Sequence, residues 1–171
     1  MRIALVAASM IALAIPAFAN DVTVPMKKVT AEGIGEEIGT IVIKPKGNGV
    51  EMVLAVKDIP AGEHGLHVHE KGDCSPAVKD GKAVAALAAG AHYDPAGTKA
   101  HKGPGGGGHK GDMPLLVATD EGVNETIVVE NVSLADIAGR SLMIHEGGDN
   151  YTDNPANGGG AASIACGVIP K

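Results

Sequence analysis

Histidine is the residue type in this 171-residue chain whose placement most suggests chemistry, and six of its seven histidines stand in ordered settings. The sharpest setting is His67-Val68-His69. In a strand, residues i and i+2 lie on one face, so these two imidazoles would be close enough to share a metal ion, with Val68 pointing to the core. A His-x-His pair alone is weak evidence, because most such pairs are coincidences on a surface.

Three more histidines occupy a stretch rich in glycine and proline, residues 92–114. His92, His101 and His109 follow one another at intervals of nine and eight residues, and Asp112 comes next. Three imidazoles and one carboxylate suit a closed tetrahedral zinc site. A structureless loop of this length is uncommon in a compact domain, and a bound ion would order it. The alternative is a flexible exposed linker with scattered histidines, and spacing alone does not decide between the two.

The last two histidines carry less information. His145 ends a predicted strand and precedes the segment Glu146-Gly147-Gly148-Asp149-Asn150, a position where site residues often lie. On its own it is equally compatible with a satisfied surface histidine. His64 falls on the opposite face of the His-x-His strand, or in the turn before it, and receives no role.

The N-terminus has the pattern of a secretory signal peptide. Arg2 supplies a positive region, Ile3 to Ile15 an apolar run, and Ala17-Phe18-Ala19 a cleavage site. The run is shorter than the about 20 residues that a membrane-spanning helix needs. Residues 1–19 are therefore predicted to be a signal peptide, and residues 20–171 a single exported domain.

Composition argues against several kinds of partner. Removing Arg2 from the 14 basic residues leaves 13 against 20 acidic ones, a formal charge of −7. An acidic surface disfavours nucleic acid and anionic membrane partners. Tyr93 and Tyr151 are the only aromatic residues outside the predicted signal peptide. The core must therefore consist of Val, Ile, Leu, Met and Ala.

The chain has two cysteines, Cys74 and Cys166. In an exported protein an even number of cysteines favours a disulfide. This bridge would close a loop of roughly 90 residues, which the chain-entropy model values at about 4–5 kcal/mol of stability. Two free buried thiols are the alternative.

The remaining sequence consists of short β-rich runs punctuated by Gly, Pro, Asn and Asp. Every second residue from Val50 to Val56 is apolar, and Gly47-Asn48-Gly49 is a hairpin turn signal. The Ala-rich residues 83–91 predict one short helix. The pattern indicates an all-β domain, an antiparallel β-sandwich or flattened β-barrel with long loops. The predicted strands are residues 22–24, 38–43, 50–56, 115–118, 126–132 and 141–144.

Taken in chain order, these motifs resemble those of the copper–zinc superoxide dismutase family of the bacterial periplasmic type. The resemblance covers essentially all of residues 20–171 and implies a Greek-key β-sandwich or flattened barrel in the periplasm. Several separate motifs in the right order are more specific than any one alone. The segments that carry the resemblance are residues 65–74, 89–95, 101–104, 109–112, 145–151 and 165–169.

The resemblance implies a full set of site residues. Asp149 would accept hydrogen bonds from a copper-ligand and a zinc-ligand histidine, His67 and His101, and the disulfide would join Cys74 to Cys166. His92 would bridge the two metals and act as the catalytic residue. The implied copper ligands are His67, His69, His92 and His145, and the implied zinc ligands are His92, His101, His109 and Asp112.

The implied activity is conversion of superoxide to dioxygen and hydrogen peroxide by copper redox cycling, with zinc in a structural role and no organic cofactor. His92 would detach from reduced copper, take a proton and return it. A non-catalytic periplasmic copper or zinc buffer, or a metal delivery protein, is the main alternative. A structural or adhesive β-sandwich with incidental histidines is a third. The family includes monomers and dimers, so a homodimer is possible.

One position departs from the family. Ser163 lies three residues before Cys166, where the family usually has an arginine beside the copper, and no basic residue occurs between Arg140 and Lys171. Positive potential offsets the repulsion between an acidic protein and an anionic substrate. We therefore expect lower catalytic efficiency than in relatives with the arginine. At least one lysine from elsewhere should border the active channel, the candidates being Lys71, Lys79 and Lys82.

Overall fold

The computed structural model describes residues 21–171, and most of its regular structure is β-strand. The signal peptide predicted for residues 1–19 lies outside the described residues. Only short helical turns accompany the strands, and no helix in the described part of the chain is long and apolar enough to cross a membrane. The strands are β1 (Val22–Thr30), β2 (Gly33–Lys46), β3 (Gly49–Val56), β4 (Gly62–His64), β5 (Leu66–His69), β6 (Ala77–Lys79), β7 (Lys82–Val84), β8 (Leu116–Ala118), β9 (Val123–Val129), β10 (Ser141–His145) and β11 (Ser163–Val168).

Seven strands form one curled antiparallel sheet in the order β5-β10-β11-β1-β2-β3-β9. β1, β2 and β3 follow one another as neighbours, and the last strand of the chain returns beside β1, as in a Greek key. Two small sheets, β4-β8 and β6-β7, complete the structure. The prediction of an all-β antiparallel fold is confirmed. The order also places β10 directly beside β5, although more than 70 residues separate them in the chain.

The core fills the concave side of this sheet with aliphatic side chains. Val50, Met52, Leu54 and Val56 are all buried, as their alternation predicts, and they join one continuous cluster with residues from β1, β2 and β10. Each buried side chain of this size contributes about 1.5–3 kcal/mol. The cluster contains no Phe or Trp, so its buried aliphatic and methionine side chains, with Tyr93 packed against them, support the strands that carry the site.

The segment before the glycine-rich stretch differs from its prediction. The short helix predicted for residues 83–91 is wrong: Lys82–Val84 pairs with Ala77–Lys79 as a hairpin, and only Leu87–Ala89 forms a 3-10 turn. Asp80 and Gly81, which connect the hairpin, both have positive φ, as a tight hairpin turn requires. This turn chemistry prevails over the helix propensity of the alanines. Predicted strand 126–132 also begins earlier, at Val123, and ends at Val129.

The predicted disulfide is confirmed. Cys74 and Cys166 are bonded across 92 residues of sequence and are almost fully buried. Met143 of β10 packs in the same small cluster. Because Cys166 lies in β11 and pairs in register with Met143 and with Lys27 of β1, the bridge fixes the segment after His69 to the middle of the main sheet.

Candidate metal centre

Two neighbouring strands carry one group of buried imidazoles. His67 and His69 project from the same face of β5, and His145 ends β10, the strand paired with β5. His92 reaches this group from the glycine-rich stretch. The donor atoms of His67, His69, His92 and His145 all lie within 4.8 Å of one another, and all four residues are buried. We call these four residues the strand-side group.

Hydrogen bonds to the outer nitrogens of these rings turn the inner nitrogens toward one another. His69 donates from Nδ1 to the Gly90 carbonyl at 2.8 Å, and His145 Nδ1 lies 3.4 Å from the Ala161 carbonyl. Their Nε2 atoms then face each other at 3.4 Å. Outer partners of this kind fix the tautomer and leave a lone pair for a metal. His67 differs, because its Nε2 donates outward and its Nδ1 points inward.

The glycine-rich stretch is held to β5 at both of its ends. Tyr93 donates its backbone N–H to the Val68 carbonyl, and Val68 donates its own to the Gly111 carbonyl, both at 2.8 Å. Gly111 also donates to Tyr93, which joins the two ends to each other. Between these ends the chain contains no helix or paired strand. The loop therefore has fixed ends, and its middle is held by a few backbone hydrogen bonds, such as that from the His109 N–H to the Ala100 carbonyl, together with side-chain contacts.

Asp112 gathers three histidines within this loop. Its Oδ1 lies 3.2 Å from His92 Nδ1, 3.0 Å from His101 Nδ1 and 3.3 Å from His109 Nδ1. Its Oδ2 accepts hydrogen bonds from the backbone N–H groups of Lys102 and Gly103. One carboxylate with three converging imidazole nitrogens is the donor set of a closed zinc site. We call His92, His101, His109 and Asp112 the loop-side group.

A second set of close donor atoms contains His67, His92, His101 and Asp112 and omits His109. Contact with the carboxylate argues for His109 in the loop-side group, because its Nδ1 closely approaches Asp112 and neither nitrogen of His67 does. His67 instead stacks on His92, with ring centroids 3.9 Å apart. The two groups thus meet at this pair of rings.

Buried nitrogens without partners mark both groups as cation sites. They are His67 Nδ1, His92 Nε2, His101 Nδ1 and His109 Nδ1. Although His101 and His109 lie close to Asp112, neither ring is aligned to donate a hydrogen bond to it. Buried polar atoms are nearly always satisfied, so four orphaned nitrogens in one place call for a ligand. One cation in each group would satisfy all of them.

Asp149 links the two groups from outside. Its Oδ2 accepts a hydrogen bond from His67 Nε2 and its Oδ1 accepts one from His101 Nε2, both at 2.7 Å. Burial alone would raise the pKa of this carboxyl. The hydrogen bonds from His67, His101 and the Tyr151 N–H prevail and hold that pKa well below its usual range. Asp149 therefore stays ionised and orients one ring of each group, as the sequence comparison with the family implied.

Three of these imidazoles, those of His69, His92 and His145, are held neutral. Burial is the main cause that lowers the pKa of His69 to about 3 and that of His92 to about 4, and positive charge on neighbouring rings lowers both further. Burial also brings the pKa of His145 well below its usual value. For Asp112, burial acts in the opposite direction but is outweighed by the hydrogen bond with His92, so its pKa is lowered. Neutral rings beside an ionised carboxylate are the protonation states that metal binding requires.

Sequence reasoning missed several residues that support the site. Tyr151 accepts a hydrogen bond from the Leu115 N–H through its hydroxyl, donates its own N–H to Asp149, and packs its ring against Gly103. Gly158 lies so close to Asp149 that a Cβ there would overlap the carboxylate. The glycines near Tyr151 and Gly158 are a local sign of an irregular segment, and both residues have positive φ. Their contacts outside this segment are with residues distant in the sequence, so no local pattern could have identified their role.

His64 also has a role that its sequence position did not predict. It is buried, and its two ring nitrogens lie 2.7 Å from the His145 carbonyl and 2.8 Å from the Pro60 carbonyl. Together with the bond from the His145 N–H to the Gly65 carbonyl, these contacts fix the end of β10. His64 thus positions His145 from its backbone side.

Ser163 is the strand partner of His145, across a bulge in the β10–β11 pairing. The nearest basic residue earlier in the chain, Arg140, is committed elsewhere: it donates to the carbonyls of Glu70 and Asp136 and lies over the Tyr93 ring. No arginine therefore stands at the position beside His145. The three candidate lysines are all exposed: Lys71, Lys79 and Lys82.

An antiparallel Greek-key barrel with two adjoining groups of buried imidazoles, one of which includes a carboxylate, defines a metal-binding barrel protein of the superoxide dismutase type. The sequence profile of the copper/zinc superoxide dismutase family matches residues 37–169. The chain belongs to this family.

Its relatives include proteins named Superoxide dismutase [Cu-Zn]. One from Brucella abortus is 48% identical over 172 residues, which cover 99% of each chain. A second, from Salmonella typhimurium, is 49% identical over 149 residues, 85% of this chain and 86% of the relative. The solved structure of the Cu/Zn superoxide dismutase from Brucella abortus has a TM-score of 0.85 at 49% identity and covers 88% of this chain and 99% of its own. The monomeric copper, zinc enzyme from Salmonella enterica has a TM-score of 0.78 at 46% identity, with 88% and 99% covered.

Proposed function

We propose that this protein is a copper- and zinc-dependent superoxide dismutase. The observation that carries the proposal is the position of His92, whose two ring nitrogens face two different groups. Its Nδ1 lies 3.2 Å from Asp112 in the loop-side group, and its Nε2 is buried without a partner beside the strand-side group. A protein that only stores metal has no need to share one imidazole between two sites.

The donor sets assign one metal to each group. The strand-side group offers four imidazoles and no carboxylate, a set suited to copper, and the loop-side group offers three imidazoles and a carboxylate, a set suited to zinc. The ligands would be His67, His69, His92 and His145 for copper and His92, His101, His109 and Asp112 for zinc. The orphaned nitrogens described above are members of these sets.

When bound, copper supplies the one-electron chemistry that converts superoxide to dioxygen and hydrogen peroxide, and zinc supplies a redox-inert positive charge. The protein's own residues transfer a proton and keep the imidazole rings of the site oriented. His92 Nε2 is the atom at which a proton is held and passed on, because its Nδ1 faces the loop-side group. Asp149 keeps the rings of His67 and His101 oriented throughout.

Superoxide is an anion and the protein carries an excess of acidic residues, so local positive charge matters for its encounter with the site. Ser163 supplies none beside His145. We therefore propose a lower catalytic efficiency than in relatives with an arginine at this position. Lys71, Lys79 and Lys82 are free to contribute because they are exposed. If Lys→Glu at each of the three leaves kcat/KM at low salt unchanged, this contribution is excluded.

The signal peptide pattern of residues 1–19 and the Cys74–Cys166 disulfide support export to an oxidising compartment, for which we propose the periplasm. The mature chain would comprise residues 20–171 as one domain. A homodimer remains the proposed alternative to a monomer, and one relative's solution structure is described as monomeric. Fractionation of expressing cells and light scattering of the mature protein test these two points.

The competing function is a periplasmic copper or zinc buffer or delivery protein, which the missing basic residue at Ser163 favours. Metal analysis combined with a dismutation assay on residues 20–171 separates the two. One copper and one zinc per chain, with turnover lost when copper is removed, supports the enzyme. Full occupancy by both metals without turnover supports the buffer and rejects the proposal.

A further inference from the structure

A groove of about 550 Å³ runs along the outer side of the loop-side group. One wall is the loop itself, including Pro95, Ala96 and Gly105, and the other is the segment from Glu130 to Val132 that follows β9. His109 and Asp112 line it as well. We call this feature the loop-side groove.

The groove reaches one metal group and not the other. Of the loop-side residues, the His109 side chain is 12% exposed, whereas those of His92, His101 and Asp112 are at most 2% exposed. None of the three histidines on β5 and β10 lines the groove. A cation held at the Asp112 carboxylate is therefore separated from solvent on this side mainly by the His109 ring.

The two walls of the groove differ in how closely they are packed. Gly105 and Gly107 have positive φ, and a Cβ placed on either would meet nothing within 4 Å, so this part of the loop has open space around it. On the other wall Val132 is buried in the main core. The glycine wall itself is packed at Gly108, where a Cβ would overlap the Ala100 carbonyl oxygen, so the space to widen the groove lies around Gly105 and Gly107.

The charges at the groove favour a cation. Lys110 lines it, but its ammonium group is paired with Asp136 at 3.0 Å. Glu130 is exposed on the groove wall. An exposed carboxylate at the entrance raises the local concentration of a divalent cation.

We propose that the loop-side groove is the route by which zinc enters and leaves its site, independent of the strand-side group where copper binds. This rests on the proposed zinc ligands. Zinc passes between the glycine wall and Glu130 and reaches Asp112 once the His109 ring turns aside. His67, His69 and His145 stay in place during this exchange because they stand on the paired strands β5 and β10.

The first test fills the groove. Ala96 is exposed and lines the groove, so Ala96→Trp would obstruct it, and Ala83→Trp places the same side chain on an exposed alanine of β7 outside it. Zinc transfer from the copper- and zinc-loaded protein to a chromophoric chelator is followed at several chelator concentrations. We expect release and uptake of zinc to slow by about tenfold in Ala96→Trp, with an unchanged dissociation constant and unchanged copper release. Ala83→Trp should behave as the original protein.

The second test reverses the entrance charge. Glu130→Lys should slow zinc association by about tenfold at low salt, and the difference should shrink as salt increases. Glu32→Lys makes the same change of charge at an exposed position away from the groove and should leave association unchanged.

The possible outcomes separate this proposal from the one it rests on. If the protein takes up no stoichiometric zinc, the ligand assignment fails. If zinc binds but Ala96→Trp and the original protein release it at equal rates, the route is wrong while the assignment stands. If Ala96→Trp changes the dissociation constant as much as the release rate, the substitution has distorted the site and the route is likewise rejected.

Discussion

The strand-side and loop-side groups share His92 but are positioned in different ways. Three of the four strand-side histidines stand on β5 and β10, which are paired with each other in the main sheet and backed by the core. All loop-side residues lie between Ala89 and Leu116, where the chain has no helix or strand. The sheet therefore positions His67, His69 and His145 without a metal ion, whereas His92 comes from the loop. We expect the loop-side group to depend on side-chain hydrogen bonds and on a bound ion.

This difference between histidines on paired strands and residues on a loop matters for the proposed reaction, because the reaction would need both rigid metal ligands and a His92 ring held from the loop. Under the proposed assignment, the copper ligands His67, His69 and His145 would keep their geometry because they stand on paired strands. In the proposed reaction, His92 would keep its ring in place while its Nε2 carries a proton, because its Nδ1 lies 3.2 Å from Asp112 Oδ1 in the loop-side group. Asp149 couples the two regions by hydrogen bonds to one ring in each.

Removing a ligand from each group should give the largest and most unequal effects. We expect Asp112→Ala to weaken zinc binding by more than about 100-fold, because one of four donors and the anchor of three histidines are lost together. It should also disorder residues 92–112. His145→Ala should abolish copper binding and leave the zinc loop ordered. Metal titrations and amide exchange on both variants check this; equal disorder in the two would contradict the comparison.

Withdrawing zinc from the intact protein should reproduce the same asymmetry without a mutation. Amides in the middle of the loop should exchange about 100-fold faster in the zinc-free protein, since their order depends on the ion. Amides of β10 should keep their protection. Hydrogen exchange read by mass spectrometry measures both in one sample. Unchanged exchange in the loop would mean that hydrogen bonds alone order it.

Gly158→Ala should disturb the link between the groups. Its Cβ would overlap the Asp149 carboxylate and lie 2.8 Å from His101 Nε2. We expect zinc affinity and dismutation to fall by about 10–100-fold, the usual cost of losing an outer hydrogen-bond partner. Gly97→Ala is the matched control, because Gly97 also has positive φ but open space around it. Equal losses in both variants would assign the effect to backbone strain.

Tyr151→Phe should have a smaller effect, confined to the loop. It removes the acceptor for the Leu115 N–H, which costs about 1 kcal/mol. Tm should fall by about 2–4 °C and zinc release should become faster, while copper affinity stays the same. Tyr93→Phe is the control, since no hydrogen bond to the Tyr93 hydroxyl is present among residues 21–171. A Tyr151 variant with unchanged zinc release would show that its ring contact suffices.

Ser163→Arg should change only the strand side, and only modestly. A cation next to His145 should raise kcat/KM by about tenfold or less and make it more sensitive to salt. Ser163→Gln, which is similar in length but neutral, should not. Zinc content and Tm should stay unchanged in both. Stopped-flow dismutation at several ionic strengths is the measurement, and no increase with arginine would contradict the role given to this position.

Within the strand-side group, only the shared face of His67 and His69 follows from local rules, whereas His92 and His145 were assigned to it through the family resemblance. The period of two in His67-Val68-His69 and in residues 50–56 translates directly into faces of a sheet. The wrong prediction at residues 83–91 followed from the alanines alone, whereas the preceding Asp80-Gly81 pair forms the turn of a hairpin. That β10 lies beside β5 is a long-range pairing that no local pattern specifies.

The loop-side group shows the limit of sequence reasoning more clearly. The spacing of His92, His101, His109 and Asp112 left a flexible linker as an alternative, and only family resemblance selected zinc. Tyr151 contacts Gly103 and Leu115, and Gly158 lies close to His101, residues 36 to 57 positions away in the chain, so the importance of Tyr151 and Gly158 appears only in three dimensions. The residues that support a site on a loop are defined by tertiary contacts, and local sequence patterns do not reveal them.

The central claim is that His92 contacts both metals, and anomalous diffraction from crystals of the copper- and zinc-loaded protein tests it directly. Data collected at the two metal absorption edges locate each ion separately. We predict copper about 2.0 Å from His92 Nε2 and zinc about 2.0 Å from His92 Nδ1. A His92 ring bonded to only one ion, or to neither, in a fully loaded protein would contradict the account.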